Sequence, residues 1–177
     1  MEIGKTFNSI EKKFKSHKFS GISLHSKKCK KDDIFFAIKG AKKNGNQYIT
    51  EAIKNGARTI VSDIKFQGYK KNILFLHSKN TKKLITQVCK KIYKKKPKNI
   101  IAVTGTNGKS SVTNFYLQIL KLNNKKVGSI GTLGVQDNKS LSRTINTSVD
   151  PVSLSKILNK FKKKRIENVI LEASSHG

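Results

Sequence analysis

The stretch Val103–Ser111, VTGTNGKSS, follows the apolar run NIIAV and opens a segment whose apolar residues recur at helical spacing. Strand, glycine-rich turn, Lys-Ser and helix is the order of a loop that holds phosphate. Gly105 and Gly108 let the backbone turn tightly and aim its N–H groups at an anion. Lys109 adds a point charge for β- and γ-phosphates, Ser110 offers a hydroxyl to Mg²⁺, and the helix N-terminus contributes a favourable dipole. Val103 stands where the longer form GxxxxGK[ST] has its first glycine, so the pattern is the shorter GTNGKS. A plain surface turn could also carry Asn-Gly-Lys-Ser. It would not need an apolar strand before it and an amphipathic helix behind it.

A loop of this kind takes an acid for its metal from the end of a neighbouring strand. VILEASSHG supplies Glu172 directly after three apolar residues, with His176 close behind, within reach of a metal or a γ-phosphate. The competing readings are an exposed loop carboxylate and an incidental histidine. Only ten acidic residues occur in the chain, so an acid at this point is harder to dismiss.

The elements that must position these groups alternate between strand and helix. Ile3, Phe7, Ile10 and Phe14 predict a first amphipathic helix. DDIFFAIKG reads as a strand, NQYITEAIKNGA as a helix stopped by Gly56, and RTIVSD and NILFLHS as further strands. A helix with Leu84, Ile85, Val88 and Ile92 on one face follows. Pro97, inside the lysine-rich YKKKPKN, marks the boundary between a first domain, 1–97, and a second, 98–177. The second domain reads as strand NIIAVT, the phosphate loop, a helix with Val112, Phe115, Tyr116 and Ile119 on one stripe, and strand KKVGSIGT. A hairpin turning near Asp137–Lys139 comes next, then a helix with Asp150 at its N-cap and Pro151 at its first position. Leu154, Ile157, Leu158 and Phe161 form that helix's buried face, and strand NVILEA closes the series. The fold class is α/β: a small N-terminal α/β substrate-binding domain, then an incomplete mononucleotide-binding domain with three strands and a hairpin.

Composition narrows the class further. The chain has 177 residues, 38 of them Lys or Arg against ten Asp or Glu, a formal charge of +28. Such a balance suggests nucleic acid as a partner. Yet only Arg58, Arg143 and Arg165 are arginines, and base readers rely on the planar fork of Arg. The basic runs also lack the interleaved aromatics that stack on single strands. An A- and T-rich genome, favouring Lys, Asn and Ile codons, accounts for the bias. These points argue against nucleic acid as the main partner and leave an anionic substrate well served. The longest apolar run is IFFAI, far below the roughly 18 residues of a membrane span. No secretory signal is visible, and Cys29 and Cys89 fit neither a disulfide framework nor a zinc site. A cytoplasmic protein with no membrane partner is the expectation.

GTNGKSS followed by NTSVDP and LEASSHG resembles the Mur ligases, and within them the UDP-N-acetylmuramoyl-tripeptide ligases of the E type. HSKKCKKDDIFFAIKGAKKNGNQYITEAIKNGARTIVSD looks like that family's N-terminal domain, which holds the uridine nucleotide. GTNGK alone is shared with folylpolyglutamate synthases; NTS…DP and SSHG favour the E type over the F type. The resemblance covers almost the whole chain. It implies an ATP- and Mg²⁺-dependent ligation in which the terminal carboxylate of UDP-N-acetylmuramoyl-L-alanyl-D-glutamate is phosphorylated. The amine of a third amino acid, diaminopimelate or lysine, then attacks. By the same resemblance Gly105, Thr106, Asn107, Gly108, Lys109, Ser110 and Ser111 hold ATP, and Ser110, Glu172 and His176 surround Mg²⁺. Lys109, Glu172 and His176 are the catalytic candidates. Asn146, Thr147, Ser148 and Ser174 match positions that contact the muramoyl-peptide, and Leu24, Ser26, Ala41, Lys42 and Lys43 match the uridine-nucleotide pocket.

Departures from the family pattern are specific. His25-Ser26-Lys27 replaces the usual Asp-Ser-Arg, exchanging a bidentate contact for a point charge, and NTS replaces Asn-Thr-Thr. Family members continue past SSHG through a carbamylated lysine and a third domain. The expectation is therefore a fragment, inactive in isolation. The alternatives are a catalytically incomplete nucleotide- or UDP-sugar-binding protein, a fragment of an F-type ligase, and a basic nucleic-acid-binding module.

Overall fold

The computed structural model describes every residue except Ser9, Ala41, Lys42, Asn138, Lys139, 143–148 and 174–177. The chain divides into two compact units, Met1–Ile92 and Tyr93–Gly177.

In the first unit the predicted N-terminal helix is replaced by something shorter. Only Ile3–Thr6 (α1) is α-helical, and Lys12–Phe14 makes one 3-10 turn. Backbone pairing wins over the periodicity: Ile3 N–H donates to the His17 carbonyl, and Phe19 N–H to that of Met1. Phe7 and Phe14 still reach the core, exposed by only 4% and 1%.

Five strands follow: β1 (Ile22–Ser23), β2 (Asp33–Phe36), β3 (Ala57–Ser62), β4 (Gly68–Lys70) and β5 (Ile73–His77), in the order β1-β2-β3-β5-β4. All pairs are parallel except β4 with β5. Helices α2 (Ile49–Lys54) and α3 (Thr81–Ile92) complete the unit. Alternate residues of β2 serve its two faces. Phe35 joins Ala52, Ile60 and Ile73 in a cluster against Ile49 and Ile53 of α2, whereas Phe36 stacks on Phe7 with ring centroids 6.4 Å apart. Every residue of β2 is buried, as a parallel strand covered on both faces requires.

His17 ties this unit together through both ring nitrogens, Nδ1 at 3.1 Å from the Tyr69 hydroxyl and Nε2 at 2.9 Å from that of Thr59. Burial pushes its pKa down, with Asp32 pulling weakly the other way. The folded state thus prefers the neutral ring, while the unfolded chain takes up a proton near the ordinary imidazole value of about 6.5. Stability is complete above that value and falls as the pH drops through it. Thermal unfolding at stepped pH should show this loss between roughly pH 7 and pH 5, and His17→Gln should flatten it.

The second unit contains β6 (Asn99–Val103), α4 (Lys109–Leu122), β7 (Val127–Gly131), β8 (Gly134–Gln136), β9 (Leu141–Ser142), α5 (Pro151–Lys163) and β10 (Asn168–Glu172). The sheet order is β6-β10-β7-β8-β9, with β6, β10 and β7 parallel and β8 and β9 forming the antiparallel hairpin. Asp137 pins the hairpin turn: its carboxylate accepts from the backbone and hydroxyl of Ser140 and pairs with Lys164 just past α5.

Helix α5 begins as its sequence predicts. The Asp150 carboxylate accepts from the N–H groups of Val152 (2.9 Å) and Ser153 (3.0 Å), with Pro151 in the first turn. Asp150→Ala should cost about 1 kcal/mol, read as a lower denaturant midpoint. One face of α5 packs Leu158 and Phe161 against Ile130 and Val169 of the sheet.

Helix α4 carries two apolar stripes. Thr113 and Leu117 face inward. Of the stripe visible in the sequence, Tyr116 is half-buried, whereas Val112, Phe115 and Ile119 are 49%, 62% and 57% exposed, and Leu122 continues the outward face at 82%. Beside it Ile100 and Ile101 of edge strand β6 are also exposed.

Candidate functional site

The phosphate loop forms where β6 ends and α4 begins. Gly108 caps α4 with φ 80° and ψ −8°, a left-handed conformation that a side chain would resist. Gly105, at φ 146°, makes the preceding turn. Lys109 folds over the loop, its ammonium donating to the carbonyls of Gly105 (2.6 Å) and Thr106 (3.1 Å). Thr106 through Ser111 line an open cavity of about 370 Å³ with Thr132 on its far lip. Its size suits a small ligand, and its walls supply N–H groups, hydroxyls and one ammonium.

Strand register delivers the acid. Glu172 pairs with Val103, the last residue of β6 before the loop, and Ala173 N–H donates to the Val103 carbonyl at 2.8 Å. Glu172 is 5% exposed, and its carboxylate accepts two hydroxyls on the same oxygen, Ser110 Oγ at 3.1 Å and Thr132 Oγ1 at 2.8 Å. Gly131 makes the close approach possible, since a Cβ there would collide with this carboxylate. Glu172 and Ser110 also line a second cavity of about 10 Å³, with Thr113, Ser129 and Gln136, which has space for one water.

The residues present fit a magnesium ion. Glu172 has no salt bridge among the described residues, and no group of three His, Cys, Asp or Glu gathers among them. Magnesium needs no such cluster: it is commonly held by one carboxylate, a hydroxyl, waters and the phosphates themselves. Ser110 and Glu172 provide the hydroxyl and the carboxylate. His176 and Ser174 lie outside the described residues, as do Asn146, Thr147 and Ser148.

The first unit's candidates fall partly at one sheet end. Leu24 follows β1, and Gly40 and Lys43 follow β2, so they lie past the carboxyl ends of paired parallel strands, where α/β sheets bind ligands. Lys43 is exposed; Ala41 and Lys42 are outside the described residues. Ser26 is placed differently. It is 7% exposed, its hydroxyl donates to Glu51, and its carbonyl accepts from Asn55, so its contacts hold the turn to α2. Two residues at the phosphate site escape sequence reasoning, Thr132 and Gly131. Gly-Thr after a strand is too common a pair to signal either role.

Comparison with known proteins agrees with this layout. Residues 18–103 match the profile described as Mur ligase family, catalytic domain, and residues 103–177 match the Mur ligase middle domain. A UDP-N-acetylmuramoyl-L-alanyl-D-glutamate–2,6-diaminopimelate ligase of Rickettsia montanensis is 40% identical over 177 residues, covering 96% of this chain and 36% of that protein. The ligase of the same name from Buchnera aphidicola is 39% identical over 90% of this chain and 34% of its own length. A solved structure of a ligase of that name superposes with a TM-score of 0.72 at 26% identity, over 96% of this chain and 34% of the other. A MurF ligase of Thermotoga maritima in complex with ADP shares the fold at a TM-score of 0.57 and 22% identity, over 87% of this chain and 32% of its own. The chain thus spans about a third of the length of the relatives it matches. With both domain profiles running end to end from residue 18 and the phosphate loop at their junction, the chain belongs to the Mur ligase family.

Proposed function

We propose that this chain carries the uridine-nucleotide and ATP sites of a ligase that adds diaminopimelate or lysine to UDP-N-acetylmuramoyl-L-alanyl-D-glutamate. The observation that supports it most is the buried Glu172 carboxylate, held by Ser110 of the phosphate loop, which itself lines a cavity of about 370 Å³. Backbone N–H groups of Gly105–Ser111 and the Lys109 ammonium hold the β- and γ-phosphates. Ser110 and Glu172, with His176, would hold magnesium, which would supply positive charge against the phosphates. A carboxylate oxygen of the substrate displaces ADP from the γ-phosphorus. The amine of the incoming amino acid then displaces phosphate and forms the amide. Neither step needs a strong protein base; both need fixed donors and cations where two anions meet. Leu24, Ala41, Lys42 and Lys43 receive the uridine nucleotide, together with Ser26, whose hydroxyl ties its own turn to α2 through Glu51. Asn146, Thr147, Ser148 and Ser174 receive the muramoyl-peptide. ATP and nucleotide-linked precursors place this work in the cytoplasm, and no helix among the described residues is long and apolar enough to cross a membrane.

Calorimetric titration of the purified chain with magnesium-ATP, and separately with UDP-N-acetylmuramoyl-L-alanyl-D-glutamate, tests the reading. Saturable binding of both is expected. Binding of neither, together with DNA or RNA binding that weakens steeply with salt, would overturn it in favour of a nucleic-acid module. Binding of both without ADP release when an amino acid is added would support the two sites and limit this chain to binding.

A further inference from the structure

We propose that Thr132 is the positioning residue for Glu172, holding the carboxylate beside Ser110 for the magnesium that accompanies nucleotide. This rests on the ATP site proposed above and names a residue that neither the phosphate-loop pattern nor the acidic strand end includes. Three observations carry it. Thr132 Oγ1 donates to Glu172 Oε2 at 2.8 Å, closer than the 3.1 Å from Ser110. Both hydroxyls share Oε2, so the two bonds converge on one side of the carboxylate. Gly131 meanwhile walls the other oxygen, since a Cβ there would collide with Oε1. The carboxyl group is therefore gripped on one oxygen and walled by backbone, while Thr132 itself stands at the lip of the phosphate cavity.

The division of labour follows from hydroxyl chemistry. A hydroxyl has one proton and two lone pairs. Ser110 can turn a lone pair toward a cation while donating its proton to Glu172. That hydrogen bond is the longer of the two and must adapt when the cation arrives. Thr132 holds the carboxylate through that adjustment, and its β-branched side chain restricts the rotation that would release it. Partners that orient a metal's ligand in this way typically govern about 10- to 100-fold in metal affinity.

The test measures binding of a fluorescent ATP analogue to the intact chain, with EDTA and with saturating magnesium, in wild type, Thr132→Val and Thr132→Ser. The quantity read is the gain in affinity on adding magnesium. Thr132→Val keeps the shape and removes the hydroxyl, so the gain should shrink on the order of tenfold. Thr132→Ser should restore most of it. A valine variant with the wild-type gain would overturn the positioning role and leave the ATP site standing. A serine variant as impaired as valine would overturn it too, because methyl packing rather than the hydroxyl would then matter. If wild type binds the analogue under neither condition, the ATP-site reading itself fails and this proposal with it. Melting temperatures of the ligand-free variants, taken alongside, separate a misfolded valine variant from a specific loss, and the serine variant then decides.

Discussion

Lys109→Ala should weaken binding of magnesium-ATP by on the order of 100-fold, the equivalent of about 3 kcal/mol for one charge-assisted contact shared by two phosphates. The ligand-free geometry explains why one side chain matters so much. The ammonium already bridges the carbonyls of Gly105 and Thr106, which fixes it over the mouth of the loop. A phosphate arriving there meets an oriented cation. Lys109→Arg should recover little, because a planar guanidinium cannot sit between two carbonyls of so tight a turn as a compact ammonium does. Equilibrium titration of the three proteins with a fluorescent ATP analogue checks both claims. Wild-type affinity in the alanine variant would mean that the loop's N–H groups bind phosphate unaided.

Phe161→Ala should cost about 3–5 kcal/mol, a large share of what a unit this small has to lose. Phe161 is 2% exposed and lies at the centre of the cluster formed by Ile130, Leu158, Ile166 and Val169. Its ring also packs over Gly128 of β7, so truncation opens a void between α5 and the strand that leads to Thr132. Denaturant unfolding, with amide exchange followed along Val127–Gly131, should show the loss. Phe161→Leu, which fills most of the void, should lose markedly less.

Much of this was legible in the sequence because local and tertiary preferences agree. Asp150-Pro151 sets the start of α5 through a cap that needs nothing beyond its own first turn. The phosphate loop is likewise a local object, and Glu172 was found because a strand end carried an acid. What escaped depends on the partner. The N-terminal helix failed because residues 1–4 pair with 15–19, a contact that periodicity cannot see. Strand β4 was missed because its turn, Lys71-Asn72, takes positive φ at both residues without a glycine to announce it. The roles of Thr132 and Gly131 exist only once β7 and β10 lie side by side. Ser26 shows the converse, a motif position whose hydroxyl is already engaged by Glu51.

The outward stripe of α4 and the bare edge of β6 bear on how the isolated chain behaves in solution. Among the described residues β6 pairs on one side only, and its open edge, carrying exposed Ile100 and Ile101, is a template on which another chain can build. A net charge of +28 opposes that by repulsion between copies. Salt removes the repulsion, since the screening length contracts from about 10 Å at 0.1 M to about 3 Å at 1 M, while apolar attraction remains. Light scattering should therefore rise with sodium chloride, and Ile101→Lys should move the onset to higher concentration. The salt commonly added to strip nucleic acid from a basic protein would, for this one, bring its apolar edges together.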